Sequence, residues 1–478
     1  MKNLLLILGV FAIFTSCSDD ITSLNNDTKN PTVVPAEYLF SNAEKSLVDQ
    51  MVSTNVNNNV FRLFVQQWTE TIYTDESNYD VATRTIPDNH FRTIYRDVLK
   101  DLSEAEKILS SENAVTPEQI AVVTNKKAQI EIMIAYSYSI LVDTFGDVPY
   151  TEALDIEGHP TPKYDDAETI YRDLIARLGA AQASMNDSYG SFDSADLIYG
   201  GDVANWKKFA NSLRLKLAIN MDDVDHAFAS TEALAAVTAG VIASNDENAA
   251  LKYLSVQPNT NPIFVDVVAS GRDDFVPTST IIDKMNVLND PRRTEYFTLE
   301  SGSYVGGTPG DGNTFANYSH IGPKILDPSF EGLLMDYSEV EFLLAEAVER
   351  GIAIGGTAET HYNDAILASM SYWGVTADAT AYLLQPSVAY TTATGVWQQK
   401  IGEQSYIALY NRGFEAWTTY RRLDYPVLVA PVDAAVPQVP TRLTYPSLEQ
   451  TLNAANYAAA SSAIGGDLLT TKIFWDIN

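Results

Sequence analysis

Residues 116–149 read TPEQIAVVTNKKAQIEIMIAYSYSILVDTFGDVP. Thr116 can cap a helix, Pro117 suits its first position, and Gln119 can reach back to complete a capping box. Apolar residues then recur at Ile130, Ile134, Tyr138, Leu141 and Phe145, the stripe of a long helix. Gly146 stops that helix and Pro149 keeps it from resuming. A stripe of this length must be covered, so the sequence on either side should supply helices with matching faces.

It does so in both directions. Upstream, Leu39–Met51 opens a helical series, Phe61, Phe64, Val65, Trp68 and Ile72 recur at helical spacing, and Phe91, Ile94, Tyr95, Val98, Leu102, Ala105 and Leu109 form another stripe. Downstream, a helix is expected over Asp165–Met185, with Asp165 and Glu168 as its box, then others over Trp206–Met221 and Thr231–Val241. Ser338 and Glu341 open a helix that Gly351 stops, and Glu359–Tyr372 returns from it after a Gly-rich turn. One helix is expected near Gln398–Tyr420, and Ser447 with Gln450 opens the last. Two such helices and a turn approach the period of roughly 34 residues of a tetratricopeptide unit, without its repeated signature. The expected fold is therefore mainly α, built of tetratricopeptide-like helical hairpins. Periodicity fails from about Tyr253 to Leu334, where Gly302, Gly306, Gly307, Gly310 and Gly312 mingle with Tyr296, Tyr304, Phe315 and Tyr318. A long irregular, loop-rich region is expected there, with a second irregular segment over Trp373–Thr394.

The first residues, MKNLLLILGVFAIFTSCSDD, hold Lys2, an apolar run from Leu4 to Phe14, and Thr15-Ser16 before Cys17, the only cysteine of 478 residues. Residues 1–16 read as a secretory signal. A lone Cys directly after small residues resembles the lipobox of bacterial lipoproteins, where the thiol is acylated, although Phe14 replaces the usual Leu. Ser18-Asp19-Asp20 resembles the signal that sends Bacteroidota lipoproteins to the outer face of the outer membrane. Residues 17–36 then read as a flexible tether and 37–478 as a single body. No later apolar run is long enough to span a membrane, leaving the acyl group at Cys17 as the anchor. A formal charge of −31 repels nucleic acid and anionic surfaces, which points to a neutral ligand.

A set of short motifs runs along the whole body. It comprises Gln66-Gln67-Trp68, Asp75-Glu76-Ser77 with Tyr79, Asp143-Thr144-Phe145-Gly146-Asp147-Val148-Pro149, and Asp196-Leu197-Ile198-Tyr199-Gly200-Gly201-Asp202 with Trp206. Asn261-Pro262, Asn289-Asp290-Pro291-Arg292, Tyr337–Ala347 and Arg421-Arg422-Leu423 before Tyr425-Pro426 continue it. In order and spacing these resemble the SusD/RagB family of nutrient-binding outer-membrane lipoproteins, above all its second large branch. The resemblance implies helix pairs on one side and ligand-contacting loops on the other. It also implies a lid on a SusC-like TonB-dependent barrel transporter that captures oligosaccharides, in some branches peptides, without cutting them. The family's ligand residues lie in variable loops, so none is carried over by position.

The residues themselves offer little catalytic chemistry. His90, His159, His226, His320 and His361 show no metal-ligand spacing and read as surface or capping histidines. No nucleophile elbow or phosphate loop occurs. Calcium could find hard oxygens in the loops at Asp311, Gly312 and Asn313 or at Asp193, Asp196 and Asp202, though neither has EF-hand spacing. Sugar recognition calls for aromatic rings in loops with polar groups beside them. Trp68, Trp206, Trp417 and Trp475 fall on helical stripes and read as packing, whereas Trp373 is ambiguous. Where periodicity fails, the candidate ligand contacts are Tyr73, Asn78, Tyr79 and Arg84 after the Trp68 segment, Tyr304, Asn313 and Tyr318 in the Gly-rich excursion, and Trp397. A buried loop anchor is the competing reading for each. The sequence thus points to a surface lipoprotein that binds nutrient oligosaccharide and delivers it to a transporter. A peptide binder, a surface glycan hydrolase and a scaffold without small ligand are the rivals.

Overall fold

In the computed structural model, the Thr116 hydroxyl accepts from Gln119 N at 3.2 Å and the Gln119 side chain accepts from Thr116 N at 3.2 Å, so the capping box forms. The helix it opens runs Pro117–Phe145, and from Ile130 onward almost every residue is buried. Burial on all sides explains why its stripe is broad: this helix is the axis around which the others pack. The structure describes residues 34–478 apart from Thr83 and Asn478. The signal segment 1–16, Cys17 and most of the tether lie outside the described residues.

The described residues from Ala36 onward form one compact unit. Helix α1 is Ala36–Val52. Ile86–Arg92, a π-helical Thr93–Leu99 and Lys100–Ser111 run on without a break as α2, and α3 is the axial helix. The hairpin partners follow. Helix α4 (Ala167–Ser184) packs on α3, α5 (Val203–Asn220) pairs with α6 (His226–Ala239), and α8 (Tyr337–Glu349) pairs with α9 (Ala358–Trp373). Between α6 and α8 lies the shorter α7 (Ser279–Val287). Helices α10 (Trp397–Ala408) and α11 (Gly413–Leu423) close the bundle. The mainly helical class and the hairpin architecture are as the sequence requires.

Four local readings are corrected. Phe61–Ile72 is not one helix: only Phe61–Phe64 is helical, the chain turns through Gln66 at φ 53°, and Trp68–Glu70 is strand β1. Trp68 is still core, its indole N–H donating to the Tyr410 hydroxyl at 2.8 Å, but Ile72 is 67% exposed. Gln398–Tyr420 is two helices, because the chain breaks at Asn411 (φ 70°) and Arg412 swings to Asp336 and Glu339. Gly413 lets that break form, since a Cβ there would stand 2.4 Å from Arg62 N. Helix α4 is capped one residue later than expected, by Asp166, and α8 two residues earlier, by Asp336, each accepting from the backbone N–H three positions on. Asp165 instead accepts from Tyr150 N and Thr151 N. His90 is a core residue, touching Gln50 Nε2 at 2.9 Å, and burial pushes its pKa down to about 3.

The irregular region has more order than its sequence suggests. Strand β4 (Ala249–Leu251) pairs antiparallel with β6 (Gly332–Met335) and closes the neck of the excursion. Within it, Phe264–Ala269 is π-helical, and β5 (Phe275–Pro277) pairs with β1 in the register Trp68↔Pro277, Thr69↔Val276 and Glu70↔Phe275. A further two-stranded ribbon joins β2 (Val148–Pro149) to β3 (Tyr164–Asp165). The β1–β5 ribbon borders a cleft. It holds the loop after Glu70 against the segment around Asp266–Asp274.

Candidate functional site: a cleft beside the β1–β5 ribbon

Three segments converge beside that ribbon. The loop after α1 supplies Thr54, Asn55, Val56 and Asn57, the loop after β1 supplies Glu70, Ile72, Tyr73, Asp75, Glu76 and Arg84, and the approach to β5 supplies Val265, Asp266, Ser270, Arg272 and Asp274. Together they enclose an open cleft of about 570 Å³. That is room for a short oligosaccharide.

Tyr73 is the feature that sets this cleft apart. Its side chain is 79% exposed, and its backbone sits at φ 59°, a region that L-residues other than Asn and Asp seldom adopt. No ring or cation among the described residues covers its face. The two other large grooves spend their aromatics internally. In a groove of about 600 Å³ beside α3, Tyr138 is buried, and the Tyr150 hydroxyl is held by Asp173 and Arg177. In one of about 500 Å³ near α9, Lys324 Nζ sits 5.3 Å from the Tyr372 ring centre.

The electrostatics behind Tyr73 are organised. Glu70 Oε2 accepts from Ser77 N and Ser77 Oγ, both at 2.9 Å. Burial, and after it the neighbouring Glu76 carboxylate, pushes the Glu70 carboxyl up to about 8. Arg84 Nη1 reaches Glu76 Oε1 at 2.7 Å, with Asp75 at 3.7 Å, and Arg84 Nη2 donates to Asn57 Oδ1 at 3.3 Å. Arg272 is paired with Asp274 at 2.7 Å. The arrangement can stack a ring on Tyr73 and exchange hydrogen bonds through amides, guanidinium groups and carboxyls. Among the described residues no group of three or more His, Cys, Asp or Glu side chains is placed to hold a metal ion. Of the two loops with calcium-type oxygens, one has Asp196 taking bonds from Ile198 N, Tyr199 N, Gly201 N and the Trp206 indole while Asp202 caps α5, and in the other Asp311 Oδ1 accepts from Gly312 N and Asn313 Oδ1 from Thr308 N.

Comparison with known proteins fixes the wider context. Residues 27–446 match the SusD-like_2 family model, described as starch-binding and associating with the outer membrane. The chain belongs to this SusD-like family. Its architecture is shared by a solved chitin-binding protein (27% identity, TM-score 0.80, covering 93% of this chain and 100% of that one) and by a SusD homologue from Bacteroides uniformis (28%, TM-score 0.76, 92% and 100%). A chitin-binding SusD homologue from Flavobacterium johnsoniae shares the fold at 24% identity (TM-score 0.76, 92% and 99%). No curated protein matches the chain. No described helix is long and apolar enough to cross a membrane.

Against this SusD-like framework the expected contact residues separate. Tyr73 and Arg84 come together in the cleft. Asn78, Tyr79 and Asn313 do not belong on a ligand surface, because all three are buried and serve as loop anchors. Asn78 Nδ2 donates to Gly310 O at 2.7 Å, the Tyr79 hydroxyl accepts from Gln66 Nε2 at 2.9 Å, and Asn313 bonds the backbone of Thr308 and Asp311. Tyr304 is half-buried under the Arg293 guanidinium, Tyr318 is half-buried, and Trp397 opens α10 beneath Arg350. None of these last three lines the cleft. Sequence reasoning missed Asn55, Asn57, Asp266 and Arg272. The Asn-rich run Asn55-Val56-Asn57-Asn58-Asn59 was the available signal, a polar loop directly after an apolar helix.

Proposed function

We propose that this protein captures nutrient oligosaccharide at the cell surface, held there by an acyl chain on Cys17, and passes it to a SusC-like TonB-dependent transporter. The observation that carries the reading is the unspent Tyr73 ring at the mouth of a cleft lined by amide and guanidinium groups. Sugar rings present C–H faces to an aromatic platform and hydroxyls to such groups. Membership in a family described as starch-binding and outer-membrane-associated, and the chitin-binding of a structural neighbour at 27% identity, support a glycan over other ligands. No residue is assigned to bond cleavage, and the protein is read as a binder.

Native affinity electrophoresis against a panel of glycans tests this directly. The expected result is retardation by at least one glycan with no shorter product released, together with surface labelling of intact cells that is lost in Cys17→Ala. Product release assigns the protein to the hydrolases. Absence of retardation by every glycan, with peptides retained instead, assigns it to the peptide binders.

A further inference from the structure

We infer that the cleft selects saccharides carrying a free ammonium group, such as deacetylated amino sugars, with the carboxylates of Asp75 and Asp266 receiving that charge beside Tyr73. The inference rests on the glycan-binding reading above and adds the chemistry of the sugar. It follows from which charges in the cleft are already engaged.

Five acidic side chains and two guanidinium groups line the cleft. Both guanidinium groups are occupied, Arg84 by Glu76 at 2.7 Å and Arg272 by Asp274 at 2.7 Å. Glu70 lies against Glu76, and burial with that neighbour raises its carboxyl to about 8, so Glu70 keeps its proton near neutral pH and one negative charge is removed. Asp75 and Asp266 remain. Asp75 has a side chain 65% exposed, and its one ion-pair neighbour is Arg84 at 3.7 Å. Asp266 Oδ2 takes three long bonds, from Ser53 Oγ and Thr54 N at 3.3 Å and from Thr54 Oγ1 at 3.2 Å, whereas Oδ1 takes none from the described residues. The buried Arg62 guanidinium acts on Asp266 only as a charge through space, because it spends its hydrogen bonds on the carbonyls of Val52, Ser53 and Asn411 and leaves Oδ1 of Asp266 open.

Four carboxylates against two guanidinium groups leave the lining with two formal negative charges once Glu70 is protonated. Those charges sit on the two carboxylates with spare acceptor capacity. An ammonium group is a compact donor of three hydrogen bonds and fits such acceptors. An N-acetyl group offers one weak donor and no charge, and a uronate or sulfate is repelled. The wider chain adds to the bias, since its formal charge is −31.

Isothermal titration of the full mature chain with glucosamine oligomers, their N-acetylated counterparts and glucuronate-containing oligomers of the same length tests the inference. At pH 6 and low salt the amine-bearing oligomer is expected to bind about tenfold tighter than the acetylated one, the order of magnitude of one partly screened ion pair. The ratio should fall toward one in about 0.5 M salt, where screening extends over only a few ångströms. It should also fall toward one in the Asp75→Asn, Asp266→Asn double variant, which keeps Tyr73; weakening of both oligomers in parallel, with their ratio unchanged, overturns the inference. Equal or weaker binding of the amine-bearing oligomer overturns the inference while leaving the glycan reading intact. So does capture of lysine-rich peptide with no preference among the sugars. If no saccharide binds and Tyr73→Ala changes nothing, the functional reading fails with it.

Discussion

Truncating Tyr73 is the most direct probe of the cleft. The ring is 79% exposed in the free protein. Stacking one face against a pyranose removes on the order of 70 Å² of apolar surface, a fraction of the 150–250 Å² an aromatic side chain can bury. At about 25 cal/mol per Å² this is about 1.8 kcal/mol, or roughly a twentyfold loss of affinity in Tyr73→Ala. Because the ring touches little within the protein, the same change should leave urea stability within about 0.5 kcal/mol. The backbone adds an internal control. At φ 59° any Cβ is strained, so Tyr73→Gly should lose the same affinity while gaining up to about 1 kcal/mol of stability. Titration calorimetry reads the first quantity and denaturant unfolding the second. Binding of the cognate glycan by Tyr73→Ala within a factor of two of wild type, with the fold intact, refutes the assignment of Tyr73 as the platform.

Other side chains give further tests. The Glu70 carboxyl is raised in the folded state to about 8, so folding favours its protonated form and stability declines as pH rises from the unfolded value toward 8; Glu70→Gln should gain on the order of 1–2 kcal/mol over wild type at pH 8.5 and little at pH 5, read by urea unfolding at both. Lys216 is buried between Glu339 at 3.0 Å and Glu415; its replacement by Met leaves Glu415 without its cation and Glu339 with Arg412 alone, at a cost of about 3–5 kcal/mol at pH 8. Burial alone would raise Glu339, but Lys216 and Arg412 hold it below its usual value, so in wild type its contribution is present above the unfolded carboxyl pKa and lost in acid; the Lys216→Met deficit should therefore shrink toward pH 5 in the same assay. His361 is raised by its hydrogen bond to Glu341 at 2.7 Å. That contribution is complete below the ordinary histidine pKa and lost as pH rises through the raised one. Glu341→Gln should thus cost a few tenths of a kcal/mol at pH 5.5 and nothing at pH 9, with the His361 imidazole shift in NMR titration moving toward neutrality.

What the sequence could reveal was set by the range of the interactions involved. Helix α3 was legible because its box, stripe and stop are all local, and the motifs running from Gln66 to Pro426 gave the family. The break between α10 and α11 was not, since it depends on Arg412 meeting Asp336 and Glu339, more than seventy residues away, and on Gly413 passing the backbone of Arg62. The β1–β5 ribbon joins residues two hundred positions apart through three-residue strands, too short for any alternation to show. For the same reason the loop aromatics divided unpredictably. Tyr73 and Tyr79 are six residues apart with near-identical φ, yet one faces solvent and the other is fully buried, where Gln66 donates to its hydroxyl.

The anchoring of that loop carries a kinetic consequence. Gln66 ties the Tyr79 hydroxyl to Val429 O at 2.7 Å, Asn78 clasps Gly310 O, and Asn78 O receives Ala435 N at 2.8 Å, so three remote parts of the chain hold the wall of the cleft in place before any ligand arrives. A wall already set spends little ordering entropy on arrival. If the cleft holds sugar as proposed, exchange should be fast, with no slow ordering step before binding.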